Sequence, residues 1–280
     1  MNIKITADST CDLSPELIRK YDIGMIPLVV TKGNEEFLDG ITITPSEIFA
    51  HVAGGGALCS TAARGVAVFQ KEFEEYLKQY DAVVHINISS DFSSSYQNAC
   101  IAAAELPNVR VVDSRNLSTG QGLVVLKAWE LAQNCENLDE LKQALDAYTA
   151  KVEASFVIDR LDYMVKGGRC SSAAALGANL LNLKPCIEVR DGKMLVVKKY
   201  RGHFEKSILA YVKDRLANRD DIDRTTIFIT HTTVPEGTVQ AVREAICQWG
   251  SFTNIYDTDA GCTVSCHCGP GTLGILFVRK

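Results

Sequence analysis

Residues 82–97 read AVVHINISSDFSSSYQ, an apolar run that passes directly into a stretch rich in serine. The apolar part, 82–88, predicts a β-strand, and a helix is predicted from about Ser94 to Glu105. The loop after a parallel strand lies at the carboxyl edge of its sheet, where ligands usually bind. A helix N-terminus at that edge offers free N–H groups and the positive end of its dipole to an anion. Ser94 with Gln97 also fits a capping box, which assigns part of the serine cluster to structure.

Further strands alternate with helices on either side of this unit. The predicted strands cover 3–7, 24–31 and 109–113, and the predicted helices begin at Pro15 and Thr44, cover 66–80, and begin again at about Ser118 and at Asn137. The start at Thr44 is supported by Glu47 three residues on, which completes a capping box. This alternation predicts a mainly parallel sheet that is covered by helices on both faces.

The second half of the sequence predicts a mixed sheet. Runs 185–190 and 194–200 flank Asp191-Gly192, a dipeptide that favours tight antiparallel hairpin turns. The remaining predicted elements are helices at 203–217 and 236–248 and strands at 226–231, 251–257 and 274–279. The predicted fold class is therefore α/β with two domains, residues 1–155 with a mainly parallel sheet and residues 156–280 with a mixed one.

The composition excludes several classes of protein. Of 280 residues, 46% are hydrophobic and 22% charged, which is ordinary for a globular protein with a packed core. Lys and Arg number 29 against 34 Asp and Glu, so the net charge of −5 offers no basic field to nucleic acid. The start MNIKITADST has no basic segment followed by an apolar one, and no apolar run is long enough to span a bilayer. We therefore expect a cytoplasmic protein with reduced cysteines, no nucleic-acid partner and no stable membrane insertion.

Two motifs near the end of the sequence raise the question of cofactor and metal binding. Residues 269–274 fit G-x-G-x-x-G, but a strand follows them where a helix would have to hold a pyrophosphate. Cys262, Cys266, His267 and Cys268 lie close together, yet they lack a C-x2-C knuckle and a second ligand pair. We therefore expect neither a nucleotide cofactor nor a metal, and we interpret these cysteines as small apolar core residues.

Hydroxyl and basic residues cluster in several loops, and each cluster has a structural interpretation beside a functional one. Ser60-Thr61 follows a glycine loop, and the hydroxyl run 89–95 leads into a helix. Residues 166–169, KGGR, end a helix with glycines and leave their charges to solvent. Arg201 is typical of a surface cation at a strand end, and His267 of a hydrogen-bonded loop histidine. Taken singly, these residues leave binding and structural roles both open.

The ordered set of motifs is more specific than any one of them. It comprises ADSTCDL (7–13), FLDG (37–40), ITP (43–45), SSDFSSSYQ (89–97), VDSR (112–115), KGGR (166–169), NLKP (182–185), RG (201–202) and HCGPG (267–271). This pattern resembles the DegV family of bacterial fatty-acid-binding proteins, the acyl carriers of a fatty acid kinase. The resemblance runs from near residue 5 to near residue 275 and so covers almost the whole chain.

The resemblance implies two α/β domains that hold one lipid between them. It places the fatty-acid carboxylate on hydroxyls that correspond to Thr61, or its neighbour, and Ser93, with Arg201 and His267 at basic positions close to the head group. Residues 60–64 read STAAR where the family usually has TSQPS, so a hydroxyl is kept while the glutamine and proline are not. The ligand-binding residues that the resemblance implies are Ser60, Thr61, Ser93, Ser94, Arg201, His267 and Gly269.

Two functional hypotheses from different classes follow. The favoured one is a non-enzymatic carrier that binds a long-chain fatty acid and presents its carboxylate to a fatty acid kinase. Hydrogen bonds would compensate the burial of the ionised carboxylate, while each buried CH2 contributes roughly 0.8 kcal/mol. The alternative is a serine hydrolase or acyltransferase with Ser93 as nucleophile and His267 as base, although no nucleophile-elbow motif or orienting carboxylate is evident. A phosphosugar-binding enzyme on the same loops is the least favoured.

Overall fold

The computed structural model describes residues 1–176 and 183–280, which form thirteen strands and eleven α-helices. The strands are β1 (Ile3–Asp8), β2 (Gly24–Ile26), β3 (Val29–Lys32), β4 (Glu35–Leu38), β5 (Ser60–Ala62), β6 (Ala82–Asn87), β7 (Val109–Asp113), β8 (Val152–Ile158), β9 (Leu183–Arg190), β10 (Lys193–Arg201), β11 (Ile222–His231), β12 (Asn254–Asp259) and β13 (Thr272–Arg279). The helices are α1 (Pro15–Lys20), α2 (Pro45–Ala53), α3 (Val66–Leu77), α4 (Ser95–Ala103), α5 (Ser118–Ala132), α6 (Leu138–Thr149), α7 (Asp162–Gly167), α8 (Ser171–Ala174), α9 (Phe204–Leu216), α10 (Thr238–Trp249) and α11 (Cys262–Cys268). Asn182 of the motif 182–185 lies outside the described residues.

A four-stranded parallel sheet forms the centre of the first half, in the order β2-β1-β6-β7. Val83 of β6 belongs to the same apolar cluster as Phe69 and Phe73 of α3. Its neighbour Val84 belongs to a different cluster, which includes Val124 of α5. Successive side chains of a strand point to opposite faces, so helices cover this sheet on both sides. The predicted parallel sheet with two covered faces is confirmed.

A small antiparallel sheet, in the order β4-β3-β5, lies beside the parallel one and was not predicted. The prediction of one strand over 24–31 is wrong, because the chain leaves the parallel sheet after Ile26 and enters the small sheet at Val29. Pro27 stands at the break and has no N–H to continue a ladder. The consequence for function is that β5, with its two hydroxyl residues, is placed by β3.

The second half contains a six-stranded mixed sheet, in the order β10-β9-β8-β13-β11-β12. Only the β11–β12 pair is parallel among the described pairings of this sheet. The predicted hairpin is confirmed, since Asp191 and Gly192 have φ angles of 49° and 80°, as the tight turn between twisted strands requires. The proposed domain boundary between 155 and 156 lies within β8, whose partners β9 and β13 both belong to this sheet.

Several predicted helix starts are confirmed by their caps. Thr44 and Glu47 form the reciprocal capping box at α2, and the side chain of Asn137 accepts from Asp139 N and Glu140 N in the first turn of α6. The capping box predicted at Ser94 is wrong, because Ser94 has helical backbone angles and its side chain makes no capping hydrogen bond. The backbone N–H of Ser95 donates instead to Ser93 Oγ at 3.2 Å.

Among the described residues, no helix is both long and apolar enough to cross a membrane.

Helix α11 has no counterpart among the predicted elements. Its sequence, CTVSCHC, consists of residues with modest helix propensity, so the local sequence does not predict a helix here. It is held by tertiary packing, since it lies against α2, β3 and β5 of the first half and against α7 of the second. The helix therefore bridges the two halves of the molecule, and it carries His267 in its last turn.

Candidate functional site

A cavity of about 630 Å³ lies between the two halves and contains most of the sequence-predicted site residues. Its polar lining residues are Thr61, Ser90, Asp91, Ser93, Ser94, Asn98, Arg169, Thr263 and His267. Its apolar lining residues are Leu28, Ala62, Ala63, Ile88, Phe92, Leu117, Met194, Val264 and Cys268. A volume of this size is typical of small-molecule sites. The lining suits a ligand that is polar in one part and apolar in another.

Thr61 and His267 meet on the wall of this cavity, although 206 residues separate them along the chain. Thr61 Oγ1 and His267 Nε2 are 2.8 Å apart, and either atom is able to donate, depending on the histidine tautomer. Thr61 is held in place because β5 pairs with β3, where Val30 lies opposite Thr61. The pair joins a strand of the first half to the bridging helix α11.

The environment of His267 keeps its imidazole neutral at pH 7. Burial, followed by the positive charge of Arg169, lowers the pKa of His267 to about 4. The ring packs against Gly167 at the end of α7, where any Cβ would overlap Nδ1. Nδ1 is buried and has no hydrogen-bond partner among the described residues. Because a neutral imidazole carries one N–H, a proton on Nε2 would make Thr61 Oγ1 the acceptor and leave the Thr61 hydroxyl hydrogen free to donate.

The serine loop between β6 and α4 forms another part of the wall. Ser93 is half-buried and its Oγ accepts from Ser95 N, which leaves the hydroxyl hydrogen of Ser93 free to donate to a ligand. The loop is fixed from beneath by Asp8, which is fully buried and accepts from Ile88 N at 2.8 Å and Asn87 Nδ2 at 3.1 Å. The carboxylate of Asp8 thereby sets where the strand ends and the serine loop begins.

The polar cavity residues that the sequence did not assign to the site include Arg169 and Thr263. Arg169 is exposed, as the sequence predicted, but it also lines the cavity, and its guanidinium donates to Gly167 O at 2.7 Å and to Phe92 O at 3.3 Å. Thr263 also lines the cavity, and its buried Oγ1 has no partner among the described residues. Thr263 and His267 are four residues apart on α11, a spacing that puts both side chains on one helix face. The KGGR motif was a signal for Arg169, but Thr263 could not be found without predicting α11.

Three predicted residues lie outside the cavity lining. Ser60 is exposed, because the alternation of β5 turns it away from the face that presents Thr61. Arg201, the last residue of β10, is also exposed. Gly269 is buried at the end of α11 with a φ of 73°, where a Cβ would come within 2.7 Å of the Tyr163 ring. Gly269 therefore turns the chain after His267 rather than facing the cavity.

The arrangement around Ser93 and His267 differs from a hydrolytic triad. In a triad the histidine bonds the nucleophile through one nitrogen and a carboxylate through the other. Within the described residues, His267 bonds Thr61 through Nε2, and no carboxylate bonds Nδ1. The geometry shown favours binding of an anion over activation of a serine.

The cysteines of α11 and the glycine motif after it make contacts that are typical of structural residues. The thiol of Cys262 donates to Ile43 O at 3.2 Å, and Cys266 lies in the same apolar cluster as Cys59. No group of three or more potential ligands is arranged for a metal in the part of the chain that the structure describes. The glycines at 269–274 lead directly into β13.

Comparisons with known proteins agree with this architecture. A family model described as "Uncharacterised protein, DegV family" matches residues 2–280. A DegV domain-containing protein of Clostridium perfringens is 31% identical over 284 residues, with 99% of each chain covered.

Solved structures match over the same length. A DegV family protein from Thermus thermophilus, described by its fatty acid binding, has a TM-score of 0.89 at 29% identity, with 100% of both chains covered. A stearic acid-binding protein from Eubacterium ventriosum has a TM-score of 0.86 at 26% identity, with 99% of this chain and 98% of that chain covered. Sequence and fold agree from end to end of the match, and the chain belongs to the DegV family.

Proposed function

We propose that this protein binds one long-chain fatty acid in the cavity between its two halves. The observation that carries the proposal is the division of the lining into hydroxyl, imidazole and guanidinium groups on the one hand and aliphatic side chains on the other. The Thermus thermophilus and Eubacterium ventriosum relatives, described as fatty acid binding and stearic acid binding, support the same ligand class.

The carboxylate of the fatty acid is proposed to lie among Thr61, Ser93 and His267. An ionised carboxylate is expensive to bury unless hydrogen bonds replace its water. The hydroxyls of Thr61 and Ser93 supply such bonds, and hydrogen bonds to a charged group each contribute about 1.5–3 kcal/mol. Arg169 adds a positive charge on the same cavity wall, and it takes over the role that sequence reasoning gave to Arg201 within the site.

The alkyl tail is proposed to run along the aliphatic lining. Ile88 and Phe92 belong to the first half of the chain and Met194 and Val264 to the second, so the tail would contact both halves. Each buried CH2 contributes roughly 0.8 kcal/mol, and a long chain therefore dominates the affinity.

The finer part of the proposal is that the protein is a carrier without chemistry of its own. Ser94, beside Ser93, is exposed, so the proposed head-group position lies close to solvent and within reach of a second protein. We propose that a fatty acid kinase uses ATP to convert the bound carboxylate to an acyl phosphate. Exposed Arg201 is proposed to act outside the cavity, at the protein surface.

Lipid content tests the carrier assignment. We expect protein purified from a heterologous bacterial host to hold about one equivalent of fatty acid, seen by native mass spectrometry and by organic extraction. Delipidated protein should take up added palmitate. A protein that is empty and also fails to take up palmitate would remove the proposal.

A trapping experiment tests the kinase step separately. Lipid-loaded protein is incubated with ATP, with and without a fatty acid kinase, and any acyl phosphate is captured with hydroxylamine. We expect hydroxamate only when the kinase is present. Hydroxamate without the kinase would contradict the carrier assignment, and hydroxamate in neither tube would contradict the assigned partner.

A further inference from the structure

Two buried aspartates of the first half reach across the molecule to the start of helix α11. Asp39 Oδ1 accepts from Cys262 N at 2.8 Å, and Asp39 Oδ2 accepts from Thr263 N at 3.1 Å. Asp12 Oδ1 accepts from Gly261 N at 2.9 Å. The first three N–H groups at this helix end are therefore bonded to carboxylates that lie more than 200 positions away in the sequence.

These hydrogen bonds supply acceptors that residues near the start of α11 do not provide. The first N–H groups of a helix have no partner within the helix, and a side chain at the N-cap usually supplies one. The N-cap here is Gly261, which has no side chain, and the first turn is buried away from water. A Cβ at Gly261 would come within 2.9 Å of Asp12 Oδ1, so glycine is what lets the carboxylate approach.

Both carboxylates are themselves fixed by hydroxyls of the first half. Ser118 Oγ donates to Asp12 Oδ2 at 2.6 Å, and Ser9 Oγ donates to Asp39 Oδ2 at 2.9 Å. Ser9 Oγ also accepts from Leu28 N at 3.0 Å, and Leu28 lines the cavity. The aspartates thus connect the wall of the cavity to the start of α11 through hydrogen bonds.

The helix held in this way carries cavity residues at both of its ends. Thr263 and Val264 line the cavity from the first turn, and His267 and Cys268 line it from the last. His267 Nε2 lies 2.8 Å from Thr61 Oγ1. A small rotation or translation of so short a helix would move the His267 ring away from Thr61. The helix end held by Asp12 and Asp39 is therefore coupled to the proposed head-group site.

We propose that Asp12 and Asp39 are positioning residues for ligand binding, which hold α11 so that His267 and Thr263 face the head group. This inference rests on the proposed function and assigns a role to the motifs ADSTCDL and FLDG. An alternative role, support of folding alone, predicts a loss of stability that is independent of His267.

The test is a double-mutant cycle on delipidated protein, with palmitate as the probe and calorimetric titration as the measurement. Asp39→Asn keeps the shape of the side chain but places an amide NH2 against a backbone N–H. We expect it to raise the Kd about tenfold in the wild-type background and less than about twofold in the His267→Ala background. Asp8→Asn is the matched control, because Asp8 is equally buried but its described hydrogen-bond partners all lie in the first half. Its effect should add to that of His267→Ala.

A ligand-free measurement separates this inference from the proposed function. The imidazole ¹⁵N resonances of His267, assigned with His267→Ala, should shift in Asp39→Asn and stay unchanged in Asp8→Asn. If Asp39→Asn does not fold, Ser118→Ala replaces it, since that change removes the hydroxyl that donates to Asp12 Oδ2 and leaves Asp39 and the cavity residue Leu28 bonded to Ser9. Additive binding effects with unmoved His267 resonances would overturn the positioning role. Failure of the wild type to bind palmitate would overturn the proposed function and leave the resonance test standing.

Discussion

At the scale of single residues, Ser60 and Thr61 show how one position along a strand separates an exposed hydroxyl from a cavity hydroxyl. Both lie on β5, and the pleat turns their side chains to opposite faces. Only Thr61 lines the cavity and contacts His267. Sequence resemblance left the choice between the two neighbours open, and strand geometry favours Thr61.

Removal of a single cavity hydroxyl should weaken ligand binding. Thr61→Val and Ser93→Ala each take one donor from the proposed carboxylate site, at an expected loss of about 1.5–3 kcal/mol, or roughly 10- to 150-fold in Kd for palmitate. Ser60→Ala is the control, because Ser60 is exposed and lies outside the cavity. An unchanged Kd in Ser93→Ala would show that the carboxylate lies elsewhere.

Buried histidines should make the protein sensitive to acid. His85 is fully buried between Phe69 and Phe73, and burial lowers its pKa to about 3, while the unfolded chain has a histidine pKa of about 6.5. The unfolded state therefore binds the proton first, so the stability contribution is complete above about pH 6.5 and is lost as the pH falls toward 3.

The variant His85→Gln measures this contribution. The amide cannot titrate, and its oxygen can still accept from Thr6 Oγ1, which lies 2.9 Å from His85 Nδ1. In urea unfolding, we expect the wild type to lose about 2 kcal/mol relative to His85→Gln between pH 7.5 and pH 5. If the difference in unfolding free energy between the two proteins stays constant over this pH range, the assignment to His85 is wrong. The loss of stability in acid that both proteins share would include the contribution of His267.

At the scale of elements, the contact between the end of α7 and the end of α11 shapes the site. Gly167 closes α7, and the ring of His267 occupies the space that its side chain would need. Arg169, two residues on, donates to Gly167 O and places its charge on the cavity. The KGGR motif thus supplies room for one site residue and a cation beside it.

A side chain added at Gly167 should reduce ligand affinity and still allow the protein to fold. Gly167→Ala would push the His267 ring off Thr61, and overpacking of this kind costs about 1–3 kcal/mol. We expect the affinity for palmitate to fall while the protein still folds cooperatively by circular dichroism. Gly65→Ala is the control, since nothing lies within 4 Å of a Cβ there. Equal affinities of Gly167→Ala and wild type would show that His267 does not need its present position.

At the scale of the whole molecule, one cavity is shared by two halves with different sheets. Apolar lining comes from Ile88 and Leu117 of the first half and from Met194 and Cys268 of the second. The hairpin tip of the second half is tied to the first as well, because Ser89 Oγ donates to Gly192 O at 2.9 Å. A ligand in this cavity would therefore add contacts that hold both halves together.

Ligand should accordingly stabilise the entire protein. At a palmitate concentration about 100 times Kd, binding to the folded state alone adds about 2.7 kcal/mol. For a chain of 280 residues, that corresponds to a rise in Tm of roughly 5 °C. Thermal unfolding of delipidated protein, with and without palmitate, gives the measurement, and Thr61→Val should show a smaller rise at the same concentration. A second transition that does not move with ligand would contradict the shared cavity.

The sequence by itself determined the elements whose residues signal their own structure. The alternation of apolar strands and helices predicted the parallel sheet, Thr44 and Glu47 predicted the start of α2, and Asp191-Gly192 predicted the hairpin. These signals are local, because strand patterning, helix capping and tight turns depend on residues within a few positions of each other. The ordered motifs added the family and, through it, the prediction that Thr61, Ser93 and His267 belong to the binding site.

Tertiary structure alone decided the elements and contacts that join distant parts of the chain. Helix α11 exists because Asp12 and Asp39 satisfy its first N–H groups and both halves bury it, while its own residues have little helix preference. Packing likewise brought the exposed Arg169 to the cavity lining and left the equally exposed Arg201 outside it. These facts could not be predicted from sequence, because the free energy that places them comes from contacts across more than 70 positions, as between Arg169 and Phe92, or more than 200, as between Thr61 and His267.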